Sequence, residues 1–225
     1  MKEAAFFDLD KTLCALSTEK SFAGCMLKQN KLPLKNVMDV FWGYLKYDLN
    51  IVKDYDTMKK ASIKSALGGR NSNEFRDIFR HHFTTRIKDR FYPELIREID
   101  MHRKKGREIV IISAAIDFIV ETCCEFLGIS TWFATGLVSV NGHFTGETKG
   151  IIPYGISKQT ILFDYAKANK INLNKSFAYG DSYSDYHMLK NVGNPVTINP
   201  DRKLKNTARA NNWQINTLTL KEHKI

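Results

Sequence analysis

The chain has 225 residues, 43% hydrophobic and 26% charged, and 34 Lys and Arg against 24 Asp and Glu give it a formal net charge of +10. That length suits one core domain with an insertion, or two small domains, and the composition is that of a globular chain able to bury a core. No run is apolar for long enough to span a bilayer, and the start lacks the apolar stretch of a signal peptide, so the expected compartment is the cytoplasm.

The positive charge reads either as attraction of an anionic partner or as a lysine-rich solvated surface. Lys and Arg are spread along the whole chain without an aromatic-interleaved basic motif, so no nucleic acid is expected as a partner. Cys14, Cys25, Cys123 and Cys124 form no Cys-x-x-Cys pair and have no His cluster beside them. Reduced, mostly buried thiols are expected rather than a zinc or redox site.

In chain order, residues 4–7 (AAFF) form a short buried-strand pattern that runs into Asp8-Leu9-Asp10-Lys11-Thr12. Polar groups at the end of an apolar strand are where α/β sheets place their sites. From about 17 to 90 the apolar residues recur at helical spacing: Phe22, Cys25 and Met26; Val37, Val40, Phe41, Tyr44 and Leu45; Phe75, Ile78, Phe79, His82 and Phe83. Pro33, Gly68 and Gly69 punctuate this stretch, which reads as an all-helical insertion. An α/β rhythm then resumes. Residues 94–105 read as a helix closed by Gly106, and 108–112 (EIVII) as a buried strand ending at Ser113. Asp117 is placed to cap a helix that Gly128 ends. Residues 137–140 and 143–145 flank Asn141-Gly142 as a β-hairpin. Ser157 is placed to cap a helix over 158–169, 176–179 (SFAY) is a strand leading to Gly180-Asp181, a helix follows near 186–191, and 196–198 is a last short strand. Strands alternating with helices imply a mostly parallel, doubly wound sheet.

In such a sheet the carboxyl ends of the strands converge on one edge. Asp8, Asp10, Ser113, Lys158, Asp181 and Asp185 would then meet in one pocket. Clustered carboxylates repel unless a cation joins them, and an all-oxygen set without His or Cys suits Mg²⁺. Within that set an Asp is placed to attack phosphorus, a second carboxyl two residues on to transfer a proton, and Ser113 to hydrogen-bond a phosphoryl oxygen.

These motifs resemble the haloacid dehalogenase superfamily over nearly the whole chain. FFDLDKT looks like the first motif, IVIISA the second, Lys158 the third and AYGDSYSD the fourth. The resemblance implies a Rossmann-like core over residues 1–16 and 91–225 and a helical type-one cap over 17–90. It implies Asp8 as nucleophile and Asp10 as acid/base. Thr12, Ser113, Ala114 and Lys158 would bind phosphate, and Asp8, Asp10 (through its carbonyl) and Asp181 would bind Mg²⁺, with Asp185 as a further acid. The acid at position 10 disfavours the dehalogenases, and Leu13-Cys14 after Lys11-Thr12 disfavours the ion pumps. The segments SAAIDFIVE and NPVTINPDRKLK and the Asn-Gly hairpin are similar to the subfamily that includes phosphoserine phosphatase-like hydrolases.

The implied activity is hydrolysis of a small phosphorylated metabolite or lipid head group. A phosphotransferase or mutase using the same aspartyl-phosphate is the nearest alternative, and a catalytically silent anion- or nucleic-acid-binding protein is the alternative of another class. The cap is expected to close over the site. Phosphoserine phosphatases hold the substrate's amino group with a glutamate nine positions after the nucleophile. Here that position is Ser17 and the nearest acid is Glu19, so weak activity on phosphoserine is expected.

Overall fold

The computed structural model describes residues 1–36, 38, 42 and 54–220. Val37, Val40, Phe41, Tyr44 and Leu45 of the insertion's expected helical pattern lie outside the described residues. Seven strands form one sheet in the order β4-β3-β2-β1-β5-β6-β7. They are β1 (Ala4–Phe7), β2 (Glu108–Ile116), β3 (Thr131–Val140), β4 (His143–Lys149), β5 (Phe177–Gly180), β6 (Asn194–Ile198) and β7 (Gln214–Asn216). Every pairing is parallel except β3 with β4. Helices cover the sheet: α4 (Pro93–Lys104), α5 (Asp117–Leu127), α6 (Ile156–Asn169), α7 (Tyr186–Leu189) and α8 (Arg202–Ala210). This is the mostly parallel, Rossmann-like architecture that the strand–helix alternation implies.

The central strand shows why the sequence folds this way. Ala5 and Phe7 face one apolar core, Ala4 and Phe6 the other, and all four are fully buried. A strand covered on both faces reads as a continuous apolar run rather than an alternating one. β1 pairs with β2 on one side and β5 on the other. The chain therefore reverses its order across the sheet at the end of β1, where open α/β sheets form their crevice.

The insertion is helical, as its spacing implies: α1 (Thr18–Lys28), α2 (Tyr55–Leu67), α3 (Ser72–His82), a π-helical turn at Phe83–Ile87 and a 3₁₀ turn at Lys88–Arg90. Ser17, Asp54 and Asn71 cap α1, α2 and α3 by accepting first-turn N–H groups. Its described apolar residues share one core with the sheet. Phe22 on α1 meets Phe75 and Phe79 on α3 edge-on, at 6.2 and 5.2 Å, and also Phe118 on α5, at 5.8 Å. Gly68 ends α2, and residues 69–72 then lie along β4. Gly69 donates to the Phe144 carbonyl, Phe144 to that of Arg70 and Ser72 to that of Gly142, each at 2.8 Å. Gly146 (φ +85°) approaches α2 so closely that a Cβ there would sit 3.1 Å from the Lys64 Cα. Gly68-Gly69 is thus a helix break docked on a strand.

Several boundaries differ from the sequence reading. β2 runs on to Ile116, so Ser113 lies within it, where the register against β3 shifts between Ile112 and Ile116. β3 begins at Thr131, because its first half pairs in parallel with β2 and only its second half belongs to the hairpin. Asp117 opens α5 as its first residue rather than capping it, and its carboxylate accepts the N–H groups of Phe118 (2.7 Å) and Leu137 (2.9 Å). α6 starts at Ile156 behind Gly155 (φ +56°), not behind Ser157. α8 and β7 were not anticipated: α8 buries only Leu204 and Ala208 among polar residues, and β7 is three residues long. Among the described residues no helix is long and apolar enough to cross a membrane.

Because insertion and sheet share one core, damage to the cap should propagate. Phe79→Ala is expected to cost about 3–5 kcal/mol. Urea unfolding followed by far-UV circular dichroism and tryptophan fluorescence should show one coincident transition at lower denaturant. Separate transitions would show that the insertion unfolds alone.

Candidate active site

The site forms where β1 and β5 end side by side. Asp8 follows β1, and its N–H still donates to the Tyr179 carbonyl of β5 at 3.0 Å. Lys11 adopts a left-handed conformation (φ 61°) that turns the chain back, so that the Cys14 N–H reaches the Leu9 carbonyl. Asp181 follows β5 directly. Gly180 has to be glycine, since a Cβ there would lie 2.6–2.8 Å from the Asp185 side chain.

Lys158, from the first turn of α6, is buried between two acids. Its Nζ donates to Asp8 Oδ1 and to Asp185 Oδ1, both at 2.6 Å. The other Asp185 oxygen accepts the N–H groups of Asp181 and Ser182 at 3.2 Å each. Asp185 therefore fixes both the lysine and the loop that carries Asp181. Asp8, Asp181 and Asp185 each offer a carboxylate oxygen within 4.8 Å of the others. Thr12 is fully buried and donates to Asp181 at 3.3 Å. Ser113 is buried beside the cluster, its hydroxyl accepting the Ala115 N–H at 3.2 Å, and it lines the same cleft as Ala114, Asp8, Asp10, Lys158 and Asp181.

Asp10 is held by the start of the insertion. Thr18 donates to Asp10 Oδ1 through its hydroxyl (2.6 Å) and its N–H (3.0 Å), and the Ser17 hydroxyl donates to Oδ2 (3.0 Å). The carboxylate thus sits at the positive end of α1. Burial nevertheless keeps its pKa above the ordinary value, against the hydrogen bonds from Thr18. This arrangement gives Ser17 a task that the position-by-position reading did not assign. Thr18 was also missed, although a Ser-Thr pair opening a helix is a recognisable capping signal.

Burial sets the electrostatics. Asp8 is pushed up to about 7, first by burial and then by Asp185, with Lys158 opposing. Asp181 is pushed up to about 8 by burial, then by Asp8 and Asp185. For Lys158 burial works against the charge, but Asp185 and Asp8 outweigh it and raise its pKa. Acids so arranged are short of positive charge. The all-oxygen donor set, compact and buried, fits Mg²⁺ by ligand type. A thiol- or imidazole-seeking metal finds no Cys or His in this cluster.

Two of the cap's arginines serve structure. Arg76 pairs with Glu121 at 3.1 Å, and Arg70 donates to the carbonyls of Ala66 and Lys31. His82 Nε2 lies 2.9 Å from the Ser21 hydroxyl, with its pKa lowered by burial. The pairing of Glu19 with Lys59, 40 residues apart, at 2.6 and 2.7 Å left no trace in local sequence pattern. Nor did the stacking of Tyr55 on Tyr154, with centroids 3.5 Å apart. All four residues line the cleft.

The family model of haloacid dehalogenase-like hydrolases matches residues 5–190, and the chain belongs to that family. Within it, the chain is strongly similar to the phosphoserine phosphatase-like members of subfamily IB. It is 30% identical to the phosphoserine phosphatase SerB1 of Mycobacterium tuberculosis over 215 residues, covering 94% of this chain and 70% of that one. It is 31% identical to the inhibition of morphological differentiation protein of Streptomyces azureus over 217 residues, covering 95% and 78%. Its fold matches a phosphoserine phosphatase structure described as a phospho-aspartyl intermediate analogue, with a TM-score of 0.71, 21% identity and coverage of 96% and 93%.

The raised acids make a pH prediction for the protein kept free of divalent cations. Groups whose pKa is higher in the folded than in the unfolded state stabilise the fold at low pH, and this contribution is lost as pH rises through the folded values. With Asp8 near 7 and Asp181 near 8, Tm in chelator should fall between pH 5 and about 8.5. Added Mg²⁺ should largely abolish that fall, because a cation stabilises both acids in their charged form. Differential scanning fluorimetry across this range checks both statements.

Proposed function

We propose that the protein is a Mg²⁺-dependent phosphatase that hydrolyses phosphate monoesters through an aspartyl-phosphate on Asp8. The observation that carries this reading is the convergence of Asp8, Asp181 and Asp185 around buried Lys158 at the mouth of one cleft. Asp8 and Asp181, with the backbone carbonyl of Asp10, would hold Mg²⁺, which when bound supplies positive charge to the acids and the phosphoryl oxygens. Lys158, the Ser113 hydroxyl and the Ala114 backbone N–H bind and orient the phosphoryl group, with Thr12 supporting Asp181 behind it. Asp8 attacks phosphorus as the ester oxygen leaves. Asp10, protonated at this stage, gives that oxygen its proton, then takes one from the water that hydrolyses the phosphoenzyme. Burial raises its pKa above the ordinary carboxylate value, the direction that suits a proton donor. The likeness to a phosphoserine phosphatase captured as a phospho-aspartyl analogue supports the same covalent route. The four free cysteines, three of them buried, fit a reducing compartment such as the cytoplasm.

Asp8→Asn keeps the side-chain shape but removes the nucleophile. Its phosphate release should fall to background, while its circular dichroism spectrum stays native. Chelation should silence the wild type, and Mg²⁺ should restore it. Turnover surviving in purified Asp8→Asn, or under exhaustive chelation, would refute the mechanism.

Asp10→Asn should slow turnover of alkyl phosphates by about 10²–10⁴-fold. It should slow p-nitrophenyl phosphate far less, because that leaving group hardly needs a proton. Steady-state kinetics on both esters decide this. Equal losses would assign Asp10 to structure or metal binding.

A further inference from the structure

The catalytic groups occupy only one end of their cleft. Its volume is about 330 Å³, in the range of small-molecule sites. Beyond Asp8 and Ser113 the cleft continues between α1, α2 and α3, where the described residues that line it include Phe22, Met26, Leu32, Ile63, Leu67 and Phe75. All six belong to the buried apolar core. Thr18, which holds Asp10, and Met26 lie eight residues apart on α1, a distance of about 12 Å along the helix. The apolar part therefore reaches well past the phosphoryl site. Apolar walls of this kind favour the apolar part of a ligand.

Among the described residues of this inner cleft, Glu19 and Lys59 pair with each other. Lys59 donates to both oxygens of Glu19, and Glu19 Oε1 also accepts the Ile116 N–H at 3.0 Å. The lysine side chain is 3% exposed. An incoming ammonium would have to compete with Lys59 for the Glu19 carboxylate. An uncharged alcohol would leave the pair intact.

We propose, building on the phosphatase reading above, that the substrates are phosphate monoesters of uncharged, predominantly apolar alcohols, whose hydrocarbon part fills the inner cleft. The bond broken is the same ester P–O bond; the cleft selects the group that leaves with the oxygen. The Glu19–Lys59 pair excludes amino-acid esters.

The test uses the whole protein with Mg²⁺ and two ligand series. Turnover is measured on ethyl, butyl and hexyl phosphate and on O-phosphoserine. Binding is measured calorimetrically with the matching alkylphosphonates, which are not hydrolysed. Both kcat/KM and affinity should rise about three- to fourfold per methylene, and phosphoserine should fall below butyl phosphate. Ala66→Phe, which adds bulk to the cleft wall, should collapse the hexyl-to-ethyl ratio. Lys59→Met, which releases Glu19, should shift the phosphoserine-to-butyl ratio about tenfold toward phosphoserine, with Tm confirming that it folds.

Turnover with no dependence on chain length overturns this inference and leaves the phosphatase reading standing. Graded phosphonate binding without turnover of any ester upholds the cleft's preference and overturns the phosphatase reading. A wild type that prefers phosphoserine refutes the role given to Glu19 and Lys59, and absence of both binding and turnover refutes both readings.

Discussion

The structure depends on one buried cation. Lys158 joins Asp8, from the loop after β1, to Asp185, from the loop after β5, while it stands on α6. These elements lie up to 177 residues apart in sequence, from Asp8 to Asp185, and the lysine is what gives their acids a common centre. Such an arrangement is costly in isolation, because each ion loses its hydration. It persists because the lysine faces both acids at once and because backbone N–H groups satisfy the second oxygen of Asp185. Truncating one member leaves the others uncompensated, so geometry and electrostatics at this point are a single property.

Around that centre the protein divides its labour by element. The sheet supplies fixed positions: Asp8 and Asp181 leave adjacent parallel strands, which sets their spacing by strand geometry rather than by loop packing. The insertion supplies the partners of Asp10. Since both oxygens of that carboxylate are held by Ser17 and Thr18 at the start of α1, the orientation of Asp10 follows the position of the insertion. The wall of the inner cleft comes largely from the same helices, so the shape of the cleft and the direction of the Asp10 carboxylate are set together.

Much of this was legible in the sequence where the signal is local. AAFF followed at once by Asp-Leu-Asp identifies a doubly buried strand and a site at its end, and Gly106 and Gly128 end helices where left-handed backbone is needed. The clustered acids Asp8 and Asp181 were legible as residue types at strand ends. Their partners were not. The Lys59–Glu19 pair and the Tyr55–Tyr154 stack depend on how α2 settles against the core, which no local spacing encodes. Asp117 and Ser157 misled because both are good capping residues; tertiary contacts gave Asp117 to Leu137, and Gly155 started the helix instead. α8 escaped notice because it is short and strongly polar, with two buried residues in nine.

The docking of residues 69–72 on β4 has a consequence for solubility. β4 is the last strand of the sheet on its side, and an uncovered strand edge offers its unpaired N–H and C=O groups to any other chain. Here Gly69, Arg70 and Ser72 take up the backbone groups of Gly142 and Phe144, so the insertion closes the sheet as well as roofing the site. A core trimmed of its cap would bare that edge together with the aromatic ring of Phe144, now buried, and would join to its own copies through it.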